Sequence, residues 1–273
     1  MSAYCVLDSN LDVINIILAS PDFSLPGFVL VENSNVQIGQ KFTYSNGQYI
    51  PPPNLNVAVP GVVAPNIIGS LVDIQFLSNA SGIYTPSSNI STIQLELLGA
   101  GGAGGGGLGT SNAGAGGGGG GYGVALISNI CVSNTYTYSN GLGGMGSTMA
   151  GSAGTATSFN FDTSNYIVSG GGGGASSTTV NTMSAQGGSG GIATSGVFMY
   201  SIPAQSGGIG LHVSTTTGAG GNSKYGTGGI SVYNGGSAVG ANGSGYGSGG
   251  AGGSGTAKGG NGMNGLIVIS EYA

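Results

Sequence analysis

Charge is what this sequence has least of. Lys, Arg, Asp and Glu together make up 4% of the 273 residues, against roughly a quarter in an average soluble domain. Arginine is absent, and the only cations are Lys41, Lys224 and Lys258. Neutralising a phosphate backbone takes clustered Lys and Arg, so three scattered lysines under a net charge of −5 exclude nucleic acid as a partner. The same scarcity removes a polybasic route to an anionic membrane. Long apolar runs are also missing. The longest near the start is Val13–Ala19, far short of the roughly 20 residues a span needs, so no membrane insertion is expected. The first residues, MSAYCVLDSN, show no basic stretch ahead of an apolar core and no small-residue cleavage site, so a product made and kept in a cytoplasm is expected. Cys5 and Cys131 are the only cysteines. They lie in compositionally different regions, which reads as two partly buried free thiols.

These shortages also limit catalysis. His212 is the only histidine, and with two distant cysteines it cannot assemble a metal site. Asp162 is the lone acid between residues 99 and 265, where glycoside hydrolysis would need two carboxylates across one bond. Gly99–Gly104 spells G-x-G-x-x-G after a strand-like run, but more glycine follows in place of a helix, and no acid lies near. Gly187–Gly191 spells G-x-S-x-G without the strand and helix of a nucleophile elbow. Lys224 and Lys258 each lack the preceding glycine of a P-loop. The expectation is no enzyme, no cofactor and no metal.

What the chain does have is glycine, 62 residues of it. All but six (Gly27, Gly39, Gly47, Gly61, Gly69 and Gly82) fall between residues 99 and 265. With 39% hydrophobic residues interrupting the tracts, an ordered structure is expected, not a linker. Residues 1–53 read as a small β-meander, with Asn46-Gly47 as a tight hairpin turn and Pro51-Pro52-Pro53 as its close. Residues 54–72 read as an apolar connector, and 73–273 as a glycine-rich domain bracketed by the strands 73–77, 91–98 and 266–272. The glycine tracts have no G-X-Y period and one Asp, which excludes collagen and calcium-binding β-rolls. Two readings stay open: extended polyglycine-II-like strands of three residues per turn bonded laterally, or ordinary β-sheet with glycine-rich turns. The fold class expected is all-β plus a polyglycine-II-like bundle: an N-terminal β-meander, a connector, then a glycine-rich sandwich closed by flanking strands.

Two stretches resemble known families. Ala3 with Asp8, Val13–Ile17, Ile38-Gly39 and Gly47–Pro52 resemble a short module recurrent in phage tail-fibre and fibre-assembly proteins. Tyr84-Thr85-Pro86, Ile93–Leu98, Gly99–Gly107, Gly121-Tyr122-Gly123, Gly154 with Thr157-Ser158-Phe159, and Gly265–Tyr272 look like the glycine-rich domain of phage tail fibres and tail-tip adhesins. That resemblance implies a homotrimeric virion protein made in the host cytoplasm. Its N-terminal module would attach to other tail or baseplate proteins, and its loops would bind a bacterial surface glycan or outer-membrane protein.

Among the segments between glycine runs, Phe198, Tyr200, His212, Tyr225 and Tyr233 stand out as candidate receptor contacts. Tyr, Asn, Ser and Gly form a binding-loop palette of flat amphipathic area and adaptable hydrogen bonds. The competing expectation is that these aromatics cover the flanks of the glycine layer. Three other functions fit the composition: a structural virion part without receptor binding, a fibre-assembly chaperone, and an ice-binding glycine bundle.

Overall fold

The computed structural model describes residues 2–7, 9–11, 13–19, 24, 29–32, 43–45, 48–50 and 69–273, apart from 110–111, 177–183, 212–214 and 234–235. By packing, the chain divides into two units, Met1–Ala64 and Pro65–Ala273. In the first, β1 (Ser2–Leu7) is the central strand of an antiparallel sheet between β2 (Val13–Ala19) and β3 (Val29–Glu32). A separate ladder pairs β4 (Thr43–Ser45) with β5 (Gln48–Ile50), Ser45 opposite Gln48. The expected turn residues Asn46 and Gly47, the Pro51–Pro53 close and most of the 54–72 connector lie outside the described residues.

The second unit begins as a β-sandwich. One sheet runs in the order β15 (Tyr200–Ile202), β9 (Tyr122–Ser128), β8 (Thr92–Leu98), β19 (Leu266–Tyr272) and β6 (Leu71–Leu77). Strand β6 thus starts two residues before the predicted 73–77 strand. The other sheet runs β14 (Ala193–Ser195), β12 (Ser164–Val168), β11 (Thr157–Phe161), β10 (Tyr136–Ser139) and β7 (Ser81–Tyr84). Short ladders join β13 (Ser184–Ala185) to β16 (Gly210–Leu211), and β17 (Gly226–Thr227) to β18 (Ser244–Gly245). All of these pairings are antiparallel. Alternation along β8 sends Ile93, Leu95 and Leu97 inward, where they pack in one cluster with Ile267, Ile269, Phe159, Tyr136 and Val168. Glu271 is fully buried among them. Its Oε1 accepts bonds from the Tyr84 hydroxyl (2.5 Å), the Gln75 side-chain amide and the Ser87 N–H, which tie strand β7 and its exit to β19. Cys131 is a free and exposed thiol after β9, in contrast to the partial burial expected.

Where these strands leave the sandwich they do not stop; they continue as glycine runs with a different hydrogen-bond period. In run 99–107 the N–H groups of Gly99, Gly102 and Gly105 donate to the carbonyls of Gly121, Gly118 and Ala115. Those of Ala100, Ala103 and Gly106 go to Thr155, Ser152 and Met149, and those of Gly101, Gly104 and Gly107 to Met263, Gly260 and Ala257. Its carbonyls accept from three further runs: Ala100 and Ala103 from Gly171 and Gly174, Gly101 from Gly144, and Gly102 and Gly105 from Gly250 and Gly253. A strand in a sheet has two neighbours; this run has six, and its partner changes at every residue and recurs every third. That is the bonding of three-residue-per-turn extended chains packed side by side. It decides between the two readings of the tracts in favour of the polyglycine-II-like one.

Runs 114–121 and 247–254 are surrounded in the same way. Gly114, Gly117 and Gly120 donate to Gly253, Gly250 and Gly247; Gly116 and Gly119 to Gly208 and Gln205; Gly249 and Gly252 to Gly221 and Gly218. Three mutually bonded inner runs therefore sit inside a ring of nine outer ones: 141–146, 149–156, 169–175, 187–192, 204–208, 217–222, 228–232, 238–243 and 257–265. All three inner runs hold nothing larger than Ala or Ser and are buried along their length; outer run 169–175 is as small but only partly buried.

The reason for glycine here is space, not conformation. Among the described glycines only Gly69, Gly196, Gly245, Gly247 and Gly255 have positive φ. Elsewhere a Cβ would overlap a neighbouring main chain: at Gly101 the carbonyl of Ser248, at Gly104 that of Ala251, at Gly252 that of Gly114. Each interior residue makes main-chain bonds worth about 1 kcal/mol apiece, while ordering its backbone costs about 1–2 kcal/mol and glycine more than most. The margin is thin, so the lattice must be nearly complete to hold. Gly104→Ala and Gly252→Ala, each forcing a methyl against a backbone carbonyl, are expected to lower the melting temperature sharply, by about 1–3 kcal/mol or more of stability. Gly109→Ala, whose Cβ would only touch the Asn112 side chain at 3.4 Å, is expected to leave it nearly unchanged. Thermal unfolding followed by circular dichroism checks both.

Candidate recognition surface at the end of the bundle

Because successive runs are mostly antiparallel, the chain reverses alternately at the sandwich end and at the opposite end. Bonds fix which reversal lies where. Gly109 N–H donates to the Gly255 carbonyl (3.1 Å), Gly106 N–H to Met149 (2.7 Å), and Ala115 N–H to Ala175 (3.0 Å), while Thr216 bridges to Tyr233. The described residues of the reversals at 108–112, 147–150, 176–186, 209–216, 233–237 and 255–257 therefore all lie at the end remote from the sandwich. Reversals 193–203, 222–227 and 242–247 lie at the sandwich end.

The remote loops contain no Asp, Glu, Lys or Arg. Their side chains are Ser, Thr and Asn mixed with exposed apolar groups: Leu108, Met149 (63% exposed), Ile209, Leu211 and Tyr233 (78% exposed). Acidic side chains of the unit stay with the sandwich, at Asp73, Glu96, Asp162 and Glu271. The surface is thus wettable and apolar in patches, with the exposed Lys258 beside loop 255–257 as its nearest charge. Among the described residues no three His, Cys, Asp or Glu side chains come close enough to hold a metal ion.

Of the five residues singled out from sequence, the structure brings only two together. Tyr200 and Tyr225 lie on the outer face of the sandwich beside Tyr122, with ring centroids 6.1 and 6.0 Å from it. Tyr122 and Tyr225 both donate 2.5 Å hydrogen bonds to Glu96 Oε2, and Lys224 Nζ sits 5.8 Å above the Tyr122 ring. Phe198 is wedged edge-on against Tyr166 (5.7 Å) and packs against the sandwich core, covering Gly123. These three therefore lie at the β-sandwich, not on the flanks of the glycine layer where the competing expectation put them. Tyr233 sits on a remote loop. His212 lies outside the described residues.

Sequence reasoning missed the other remote loops, and a signal for them existed. Counting reversals from β8 onward sends every odd one to the remote end, which assigns 108–112, 147–150 and 176–186 there and 193–203 back to the sandwich.

It also missed what most of the Ser, Thr and Asn residues do. An outer run has no further run beyond it, so some of its N–H groups lack a main-chain acceptor. Side-chain oxygens one run away take their place. Asn261 Oδ1 accepts from Gly146 (2.8 Å), Asn264 Oδ1 from Gly143 (2.9 Å), Asn222 Oδ1 from Gly228 (2.8 Å), Ser152 Oγ from Met145 (2.7 Å) and Thr155 Oγ1 from Leu142 (2.7 Å). These residues close the lattice edge.

A family model described as a glycine-rich domain matches residues 77–272. The chain belongs to that glycine-rich domain family. The match begins at the end of β6 and ends within β19, so in this chain the glycine-rich domain comprises the bundle with nearly all of the sandwich that carries it. No curated protein matches the chain.

The tyrosine–carboxylate contacts give this glycine-rich domain a defined alkaline limit. Burial first, and then the bond to Glu96, push Tyr225 up from 10.0 to about 12 and Tyr122 well above the ordinary tyrosine range. Burial and Glu271 do the same to Tyr84. A tyrosine with a raised folded-state pKa holds its proton more tightly when folded. Its contribution is complete below about pH 10 and is lost as pH rises through the folded value. The melting temperature is therefore expected to be insensitive to these groups between about pH 7 and 9 and to fall above about pH 10. Tyr225→Phe should remove part of that fall, as scanning calorimetry across the pH series would show.

Proposed function

We propose that this protein is a non-enzymatic phage tail-fibre or tail-tip component that binds a bacterial surface receptor through the loops at the remote end of its glycine bundle. The gathering of six reversals on one end of a stiff scaffold carries the reading. Binding residues concentrate on loops that a rigid framework positions, and here the framework contributes almost no side chains of its own. The Ser/Thr/Asn surface with exposed Tyr233, Met149 and Leu108, and no acid and a single lysine at its edge, suits a glycan or an outer-membrane protein loop better than a highly charged partner. The N-terminal β module resembles those of tail-fibre proteins and would attach the chain to other tail or baseplate proteins. The site of action is the virion, after synthesis in the host cytoplasm.

The structural alternative, a virion part that assembles without recognising a receptor, has one observation in its favour. Strand β6 ends its sheet unpaired, and its Leu71, Val72, Ile74 and Phe76 (67% exposed) are open to solvent. An apolar edge of this kind calls for a covering partner, and in both readings that partner is another copy of the chain in a homotrimer. Light scattering of the purified protein is expected to give three times the chain mass, and Phe76→Lys to lower it.

Fluorescently labelled protein is expected to stain host cells and to compete with virion adsorption. Tyr233→Ala and replacement of residues 177–183 by a Gly-Ser loop should weaken staining at least several-fold with no change in melting temperature. Unaltered staining by both variants would place binding elsewhere, and absence of staining by the wild type would leave the structural alternative.

A further inference from the structure

At the sandwich end of the bundle, the 242–247 turn and the last residues of run 257–265 border an open hollow of about 380 Å³. This size falls within the range of small-ligand sites and holds a single sugar ring with room to spare. Its lining includes Asn242, Asn261, Asn264, Tyr246 and Met263, and no charged side chain. It is separate from the remote loops.

Three features make it a prepared site instead of a chance depression. First, its three asparagine amides are oriented by the lattice. Asn242 Oδ1 accepts from the Asn261 N–H (2.8 Å), Asn261 Oδ1 from the Gly146 N–H, and Asn264 Oδ1 from the Gly143 N–H. With each amide oxygen committed to a main-chain N–H, the NH₂ group in the same plane is left as a donor, and all three residues are solvent-exposed. Asn261 and Asn264 are one three-residue turn apart, about 9 Å along the run, with Asn242 on the neighbouring run. Second, the backbone holding Tyr246 is pinned on both sides. Its carbonyl accepts from Ser223 Oγ, the Gly247 N–H donates to the Asn264 carbonyl (2.8 Å), and Gly245 and Gly247 take the positive φ values of +77° and +69° that the turn needs. Third, the Tyr246 ring is 40% exposed at the hollow.

An exposed aromatic ring beside aligned neutral amide donors, with no charge, matches the two faces of a pyranose: C–H groups that stack on a ring and hydroxyl oxygens that accept from amides. We propose that this hollow binds one neutral sugar ring of a bacterial surface saccharide, stacked on Tyr246 and held by the amide groups of Asn242, Asn261 and Asn264. The inference rests on the receptor-binding reading for its source of saccharide, and it adds a second contact behind the remote loops.

The test uses the full chain and four probes: glucose, galactose, mannose and N-acetylglucosamine, each followed by saturation-transfer NMR and calorimetric titration. At least one is expected to saturate, with the strongest transfer to ring C–H protons, and Tyr246→Ala should abolish the signal. The discriminating variants are Asn261→Asp and Asn264→Asp. A carboxylate oxygen still accepts the lattice N–H, so the melting temperature should hold, but the amide donor is gone and affinity should fall about tenfold, the worth of one good hydrogen bond. If the asparagines serve only as lattice edges, the Asp variants bind sugar as the wild type does, and the proposal is overturned. It is also overturned if none of the four sugars saturates the wild type. Cell staining separates the two readings: stained cells without sugar binding remove this site and leave the remote-loop receptor reading, while sugar binding without stained cells does the reverse.

Discussion

Everything in the second unit depends on main-chain groups bonding to main-chain groups across contacts too close for a side chain. Run 99–107 shows the constraint most clearly, with six neighbours and a partner that changes at every residue. A methyl group at Gly101, Gly104 or Gly252 would occupy the position of a neighbour's carbonyl. Such a lattice gains nothing from hydrophobic side chains, so its stability comes from satisfied hydrogen bonds and dense packing alone. It needs a foundation that fixes the register of its runs, and the β-sandwich supplies it. Strands β8, β10, β12 and β15 lead directly into runs, and β9, β11, β14 and β19 continue directly from them. The sandwich core of Ile93, Leu95, Phe159, Ile267 and their neighbours therefore does for the bundle what the bundle cannot do for itself.

From that arrangement follows a division of labour along the axis. Acidic side chains, aromatic clusters and the buried Glu271 stay with the sandwich, where they lock strands together. Small polar residues line the outer runs, where they terminate the lattice. The remaining variety of side chain is concentrated in the loops at the remote end, where substitution disturbs neither core. A scaffold of this kind tolerates change at the remote loops and almost nowhere else, which is the property a recognition protein needs.

Much of this was legible in the sequence. The flanking strands STIQLELL and LIVISEY announce themselves by alternation and length, and they pair with each other in the structure, Ile269 opposite Leu95. The inner runs are among the tracts holding nothing larger than Ala or Ser, a set that also includes the outer run 169–175. The site was less legible. Tyr225 and Tyr200 look like loop aromatics because their segments lie between glycines, yet only the parity of the reversals shows that both segments turn at the sandwich. Asn261 and Asn264 look like surface decoration because nothing in the local sequence reveals that Gly146 and Gly143, more than a hundred residues earlier, need an acceptor. In both cases the missing information is long-range pairing, which composition and periodicity do not carry.

The account's central claim is that the glycine tracts form a closed, hydrogen-bonded lattice. Amide hydrogen exchange of the native protein tests it most directly. Gly101–Gly105, Gly116–Gly120 and Gly249–Gly253 should exchange as slowly as the central strands β8 and β19, with protection approaching that of global unfolding. Exchange of those glycines within seconds, while β8 and β19 stay protected, would mean that the tracts are loosely held tethers and would contradict the account.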